Sequence, residues 1–269
     1  MIPLFDLHAK PGRYSSIILS SLLFIICLAA LWVVGVVRHA ENPDDKVVPT
    51  FSQMADGIKR VAFQEDRKGE IRLWIDTFAS GRRFIISLAV LSLAVILGLL
   101  MGTFPYIQIL FLKFLNFFDK IPALAVLPIL FIIFGLGEVS KIALIIIGVF
   151  PTIALDTYLR AKDVPREQIT KGLTLGASQF EIAFMVILPQ IFPFVLNTIR
   201  LNFKAMILFL IAGESLAATV GLGYRIFVVR RYIAMDIIIP YVLWMSLLAV
   251  LADLIVRMWI KKKYKWTEL

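Results

Sequence analysis

Asp163–Pro189 reads DVPREQITKGLTLGASQFEIAFMVILP, a polar stretch between two long apolar ones, and its punctuation decides how the rest of the chain is read. Asp163 and Pro165 suit the cap and first turn of a helix, where the missing proline N–H costs no hydrogen bond. Gly176 suits the place just beyond that helix, because glycine enters the left-handed backbone region without a Cβ clash. Ser178 and Glu181 have the S-x-x-E spacing of a capping box, with the hydroxyl on the N3 amide and the carboxylate on the cap amide. A second short helix is therefore expected at once, with Pro189 at its far end or in the first turn of the next span. Two short helices joined at a glycine look like a docking element that a membrane protein would present to a soluble partner.

The flanks define what carries that element. Apolar residues make up 60% of the 269 and the mean hydropathy is +0.88, whereas soluble domains carry about 45–50%. Runs of about 20 apolar residues, long enough to cross a hydrocarbon core of about 30 Å, occur at Ser15–Val37, Phe84–Phe104, Ile191–Ile211 and Ile237–Val256. Two further spans are expected at Ile121–Leu136, with an apolar approach from Ile107, and at Ile142–Leu159. The expected fold is an all-α integral membrane protein with six transmembrane helices in one domain, residues 1–269. Residues 38–83 form an outer loop, in which Phe51 to Phe63 has the spacing of an amphipathic surface helix.

Lys10 and Arg13 precede the first span as a signal peptide's basic region would. That span is longer than the 7–15 residues of a cleaved segment, and its exit lacks small residues in the A-x-A places. A retained span with a cytoplasmic N-terminus is expected. Six spans then bring the C-terminus, with Arg257, Lys261, Lys262, Lys263 and Lys265, and residues 163–189 to the same side, as the positive-inside rule asks. Arg225, Arg230 and Arg231 fall on the outside against that rule. The net charge of +9 fits contact with anionic lipid and needs no nucleic acid. The single thiol, Cys27, permits no disulfide within the chain and reads as a small apolar side chain.

Catalytic constellations are missing. The sequence has no G-x-x-x-x-G-K-[ST] loop for ATP, no H-E-x-x-H helix from its two histidines, His8 and His39, and no G-x-S-x-G elbow. Gly221-Leu222-Gly223 lacks the third glycine of a dinucleotide site. The chain is expected to be no enzyme, with no metal site and no cofactor of its own. Embedded charge is the remaining source of mechanism. Arg200 and Lys204, four apart in the fifth span, fall near mid-bilayer, where a charge costs about 2.5 kcal/mol or more. Two readings stand. In one, Arg200, Asn202 and Lys204 line a path for an anion, with Glu214 opening a gate in the small-residue segment that follows. In the other, Asp156, Glu214 or Asp253 neutralises the cations and holds helices together, and the segment is a packed hairpin.

The spacing of the docking segment resembles the coupling-loop motif of bacterial ABC importer permeases, EAA, three residues, Gly, nine residues, I-x-L-P. Gly176 is followed by nine residues and then Val186-Ile187-Leu188-Pro189, while Thr170, Lys171 and Gly172 stand at the EAA positions and Glu167 lies three places earlier. LWIDTFASGRRF (Leu73–Phe84), DKIPALAVLPILFIIFGLGEVSKIAL (Asp119–Leu144) and GESLAATVGLGYRI (Gly213–Ile226) resemble the permeases of the sulfonate, nitrate and taurine importer family. That resemblance implies a type I ABC importer permease fold with a cytoplasmic coupling helix pair. It also implies ATPase coupling through Glu167, Lys171, Gly172, Gly176, Ala177, Ser178, Glu181 and Pro189. The implied partners are two ABC ATPase subunits holding ATP and Mg, a second permease copy in a homodimer, an external substrate-binding protein and the lipid of the bacterial inner membrane. A small anion such as a sulfonate, taurine or nitrate is the implied solute, with a phosphonate or a thiamine-precursor pyrimidine as alternatives. An ATPase-independent secondary carrier would give no reason for the docking segment, and a lipid-modifying enzyme would need clustered His, Cys or carboxylates on the embedded faces.

Overall fold

Inside hydrocarbon no water takes a free amide, so a spanning chain must close its backbone bonds within helices. The computed structural model describes residues 12–42, 47–66 and 69–267, and its apolar runs are all helical; His8 and Lys10 lie outside the described residues. In chain order the elements are α1 (Arg13–Glu41), α2 (Phe51–Ala62), α3 (Arg72–Thr103), α4 (Pro105–Asp119), α5 (Ala123–Phe134) and α6 (Glu138–Lys162). They continue with α7 (Arg166–Thr174), α8 (Gln179–Glu181), a π-helix (Ile182–Ile187), α9 (Leu188–Leu201), α10 (Phe203–Ala217), α11 (Leu222–Arg230) and α12 (Met235–Lys263).

Side-chain register gives the direction of each pass. Gly98 of α3 lies on Ala154 and Thr157 of α6, Gly102 lies on Ala161, and Arg83 bonds Glu138, so α3 and α6 run parallel. Going along α9 and α10, Thr198 meets Asp156, Phe209 covers Gly148 and Gly213 lies on Lys141. The partners on α6 descend, so α9 and α10 together make one antiparallel pass, interrupted at Asn202. Tyr241 and Trp244 of α12 bond Asp76 and Thr77, which puts α12 parallel to α3. Between α3 and α6 the chain returns through α4 and α5, bent by 102°. The corner is tied to mid-α6 by the Thr152 hydroxyl, which donates to Asp119 Oδ1 at 2.8 Å. With α1, these are the six expected passes; α1, α3, α6 and α12 reach spanning length unbroken, as does Gln179–Leu201, the first part of the interrupted fifth pass, and α4–α5 is bent.

Two boundaries differ from the hydropathy reading. α3 begins at Arg72 rather than near Phe84, because Asp76, Ser80 and Arg83 are polar groups that find partners inside the bundle and so need not leave the helix. The fifth pass breaks at Asn202, inside the run Ile191–Ile211, where Arg200, Asn202 and Lys204 interrupt the apolar residues. The core fills the space between α3, α6, α9 and α10, where Leu91, Leu99, Ile145, Val149, Ile153 and Met206 are fully buried. α1 stands apart, exposing Leu23, Phe24, Trp32 and most of its other apolar side chains. α2 buries Gly57, Val61 and Ala62 and is held at the start of α12, where Gly57 touches the Asp236 backbone and Arg60 bonds Asp236 Oδ2 at 3.3 Å.

Candidate functional site

Helix signals build the docking end. α6 runs through Lys162 and ends on Asp163, which adopts helical geometry there and caps no following helix. That corrects the expected N-cap: Pro165 takes the place, and α7 starts at Arg166. Gly176 closes α7 with φ of +90°. Its N–H donates to Leu173 O at 3.0 Å and the Ala177 N–H to Gly172 O at 3.1 Å, the paired bonds of a Schellman end. Ser178 and Glu181 form the capping box, with Ser178 N–H to Glu181 Oε2 at 2.7 Å and Glu181 N–H to Ser178 Oγ at 3.2 Å.

The second helix of the expected pair is only the single turn of α8. It runs on through the π-helix into α9, where Pro189 stands in the first turn. A regular helix there would drive the proline ring into the carbonyl four residues back, and a wide turn relieves it. Glu167, Lys171, Gly176, Ser178 and Glu181 are exposed, while Gly172 is half-buried against Ile182 and Ala177 against the core. Around Gly176, Leu175 and Phe180 stand in the open at 89% and 62% exposure. Replacing Ser178 by Ala removes one acceptor, worth about 1 kcal/mol. Hydrogen exchange of the amides at Phe180–Ile182 is expected to quicken roughly fivefold, and unchanged exchange would mean that the cap holds nothing.

The opposite, far end carries a buried charge network that hydropathy does not reveal. Arg83, 4% exposed, donates to both Glu138 oxygens at 2.7 and 2.8 Å, to Glu214 Oε1 at 2.6 Å and to Val220 O at 2.9 Å. Lys141 adds a bond to Glu138 at 3.0 Å and Arg82 an ion pair at 3.5 Å, so two acids face three bases. Beside them Asp76 accepts from Arg225 Nε at 2.8 Å, the Tyr241 hydroxyl at 3.1 Å and the Gly221 amide at 3.0 Å. The next two amides reach Ser80 and Glu214, at 2.9 and 2.8 Å. The first amides of α11, which no helix can satisfy internally, thus end on side chains of α3 and α10.

Glu214 is therefore fully buried and fastened by Ser80, Arg83 and the Gly223 amide. Arg225 is likewise drawn inward and lies on no solvated face. Arg230 and Arg231 remain exposed, the former over the Phe227 ring at 4.7 Å.

The middle of the bundle separates the two cations of the fifth pass. Arg200 is neutralised by Asp253, at 2.9 and 3.0 Å, and bonds Asn197 at 2.8 Å. Asn202 turns its amide back to Thr198 O at 2.9 Å. Lys204, beyond the break, is exposed and has no acid partner among the described residues. Hydropathy and motif spacing pass over Asp76, Arg83, Glu138 and the corner Asp119-Lys120. The doubled Arg82-Arg83 and the charged pair ahead of Pro122 are the signals that point to them. Among the described residues no three His, Cys, Asp or Glu side chains gather as a metal site.

Residues 91–263 match the family model described as binding-protein-dependent transport system inner membrane component. The taurine transport system permease protein TauC of Escherichia coli is 30% identical over 72% of this chain and 71% of its own. A probable ABC transporter permease of Brucella abortus is also 30% identical, over 72% and 78%. The putative aliphatic sulfonates transport permease protein SsuC of Bacillus subtilis is 26% identical over 96% and 91%.

Proposed function

Because this chain belongs to the family of binding-protein-dependent transport system inner membrane components, we propose that its docking end faces the cytoplasm and seats on two ATPase subunits, with a second copy completing the membrane half. It is a permease of an ABC importer, an inner membrane component that works with an ATPase and a substrate-binding protein. ATP is held and hydrolysed on the partner chains, and this chain turns their closure into a change of access. The solute is a small organic anion of the sulfonate class, in line with the taurine and aliphatic sulfonate names of its relatives.

The observation that supports this reading most is the docking end itself. α7 has no buried residue, and Leu175 and Phe180 are offered to the outside at the tip of a tightly closed turn. Apolar side chains at the tip of a polar loop are costly in water and useful against a cleft. Glu167, Lys171, Gly172, Gly176, Ala177, Ser178 and Glu181 shape that end, and its movement is transmitted through the π-helix to Pro189 and the rest of α9.

Purification of the tagged chain in mild detergent from its own cells tests the reading. An ATPase is expected to stay bound and to be lost when Ile169–Glu181 is deleted. Gly176→Val puts a β-branched side chain into the left-handed region at about 1–2 kcal/mol and distorts the tip, so ATPase retention should fall roughly tenfold. A chain that purifies alone and still drives uptake in liposomes would be a secondary carrier instead.

A further inference from the structure

Charge and broken backbone at mid-depth need protein or water beside them. The α6 register places Lys204 between the levels of Asp156, met by Thr198, and Gly148, met by Phe209, close to the middle of that helix. Residues 148, 152 and 156 recur at four-residue spacing and so share one stripe of α6. Thr152 therefore faces the same side as the interruption at Asn202, and it holds the α4–α5 corner there through Asp119. Lys120, next in that corner, is 80% exposed with only its neighbour Asp119 for a partner, at 3.3 Å. Lys113, two turns back along α4, is exposed and has no acid partner among the described residues.

Two interrupted passes thus present Asn202, Lys204, Asp119 and Lys120 at one level, halfway through the bundle. In lipid, irregular backbone at that depth survives only where it is buried in protein or lines a water-filled cavity. A lone ammonium there is costly for the same reason, since hydrocarbon offers it neither water nor a counter-ion. Elsewhere in the bundle the buried charges are matched: Arg83 and Lys141 by Glu138 and Glu214, Arg225 by Asp76, Arg200 by Asp253. The surplus at the middle is positive and uncovered in a single chain.

We propose that Lys120 and Lys204, with Thr152 and Asn202 beside them, form a mid-depth station for the anionic head group of the solute, on a water-filled path that a second copy of the chain closes. The site is incomplete in one copy, since the exposed lysines must be screened from lipid. Two copies bring four lysines to one level against two Asp119 carboxylates, and an anion between them relieves the repulsion that remains. The path and the sulfonate class rest on the importer reading; the station rests on the placement of these residues.

The test uses the full chain with Cys27→Ala, purified into lipid nanodiscs, carrying Lys204→Cys or Lys120→Cys. The probe is the water-soluble anion 2-sulfonatoethyl methanethiosulfonate, and Tyr232→Cys, 74% exposed at the far end, is the reactive control. Both lysine positions are expected to label, with taurine slowing them several-fold and leaving the control unchanged. In cells, Lys204→Gln and Lys120→Gln should each lower uptake of the transported sulfonate by roughly ten- to a hundredfold, the worth of a charged hydrogen bond. Lys204→Arg should restore most of it. Cysteines that stay unlabelled while the control reacts would put these lysines against lipid and overturn the proposal. Labelling without protection by taurine, together with uptake within about twofold of the parent, would overturn it too. Labelling needs no ATPase, so a chain that fails to retain one would sink the importer reading and leave this result standing.

Discussion

Arg83→Ala is expected to lower the unfolding free energy by about 3–5 kcal/mol, the cost of leaving a buried partner charge uncompensated. Glu214 is wholly enclosed, and Arg83 is its only ion-pair partner among the described residues. Removing the guanidinium also frees Val220 O and weakens the hold on Glu138, which keeps Lys141 on one oxygen and Arg82, at 3.5 Å, on the other. The damage concentrates where α3, α6, α10 and α11 meet, so the far end should loosen first. Thermal unfolding in detergent, followed by tryptophan fluorescence, measures the total. The double change Arg83→Met, Glu214→Gln should recover part of the loss, because two neutral groups of similar shape remove the stranded charge. A single variant that melts within a degree or two of the parent would mean that the pair is solvated and the network dispensable.

Gly98→Val should be nearly as damaging for a steric reason. A Cβ at residue 98 would stand 2.7 Å from Thr157 Cβ and closer still to the carbonyl oxygen of Ala154, which is backbone and cannot swing aside. α3 and α6 approach closely here because small residues let helix backbones meet, the usual source of packing between helices in lipid. Overpacking of this kind costs about 3 kcal/mol, and Gly102, against Ala161 one turn on, gives the seam no room to slide. Gly81 is the built-in control: it lies in the same helix, and a Cβ placed there would meet nothing within 4 Å. Gly81→Ala should be neutral or stabilising by about 0.5–1 kcal/mol. Equal melting of both variants would show that the seam is not the determinant.

Much of the docking end is legible in the sequence because its signals are local. Gly176 announces the Schellman end of α7, and Ser178 with Glu181 announces the box, over spans of five residues or fewer. The same local logic misplaces Asp163, since a helix that is still running claims the residue before a new one can be capped. The six passes are legible from apolar run length; Asn197, Arg200, Asn202 and Lys204 mark the fifth as irregular, but do not say at which of them the helix pauses. Partner choice is the least legible. Arg200 has Asp156, Glu214 and Asp253 to choose from, and only the register between α9 and α12 selects Asp253. Asp76 and Arg83 resemble flanking loop because a burial scale treats them as exposed. Both are helical and buried because Arg225 and Glu214, far along the chain, stand opposite them.

The Arg83 pairing has a consequence in time. Glu138 follows Arg83 by 55 positions and Glu214 by 131. At a synthesis rate of about 5–20 residues per second, the nascent helix must wait roughly 3–11 s for its first counter-ion and roughly 7–26 s for the second. During that interval Arg83 lacks both of the acids it pairs with in the folded bundle. Final docking of α3 is thus delayed until the fifth pass has been made, and the order of translation is written into which charges this protein keeps apart.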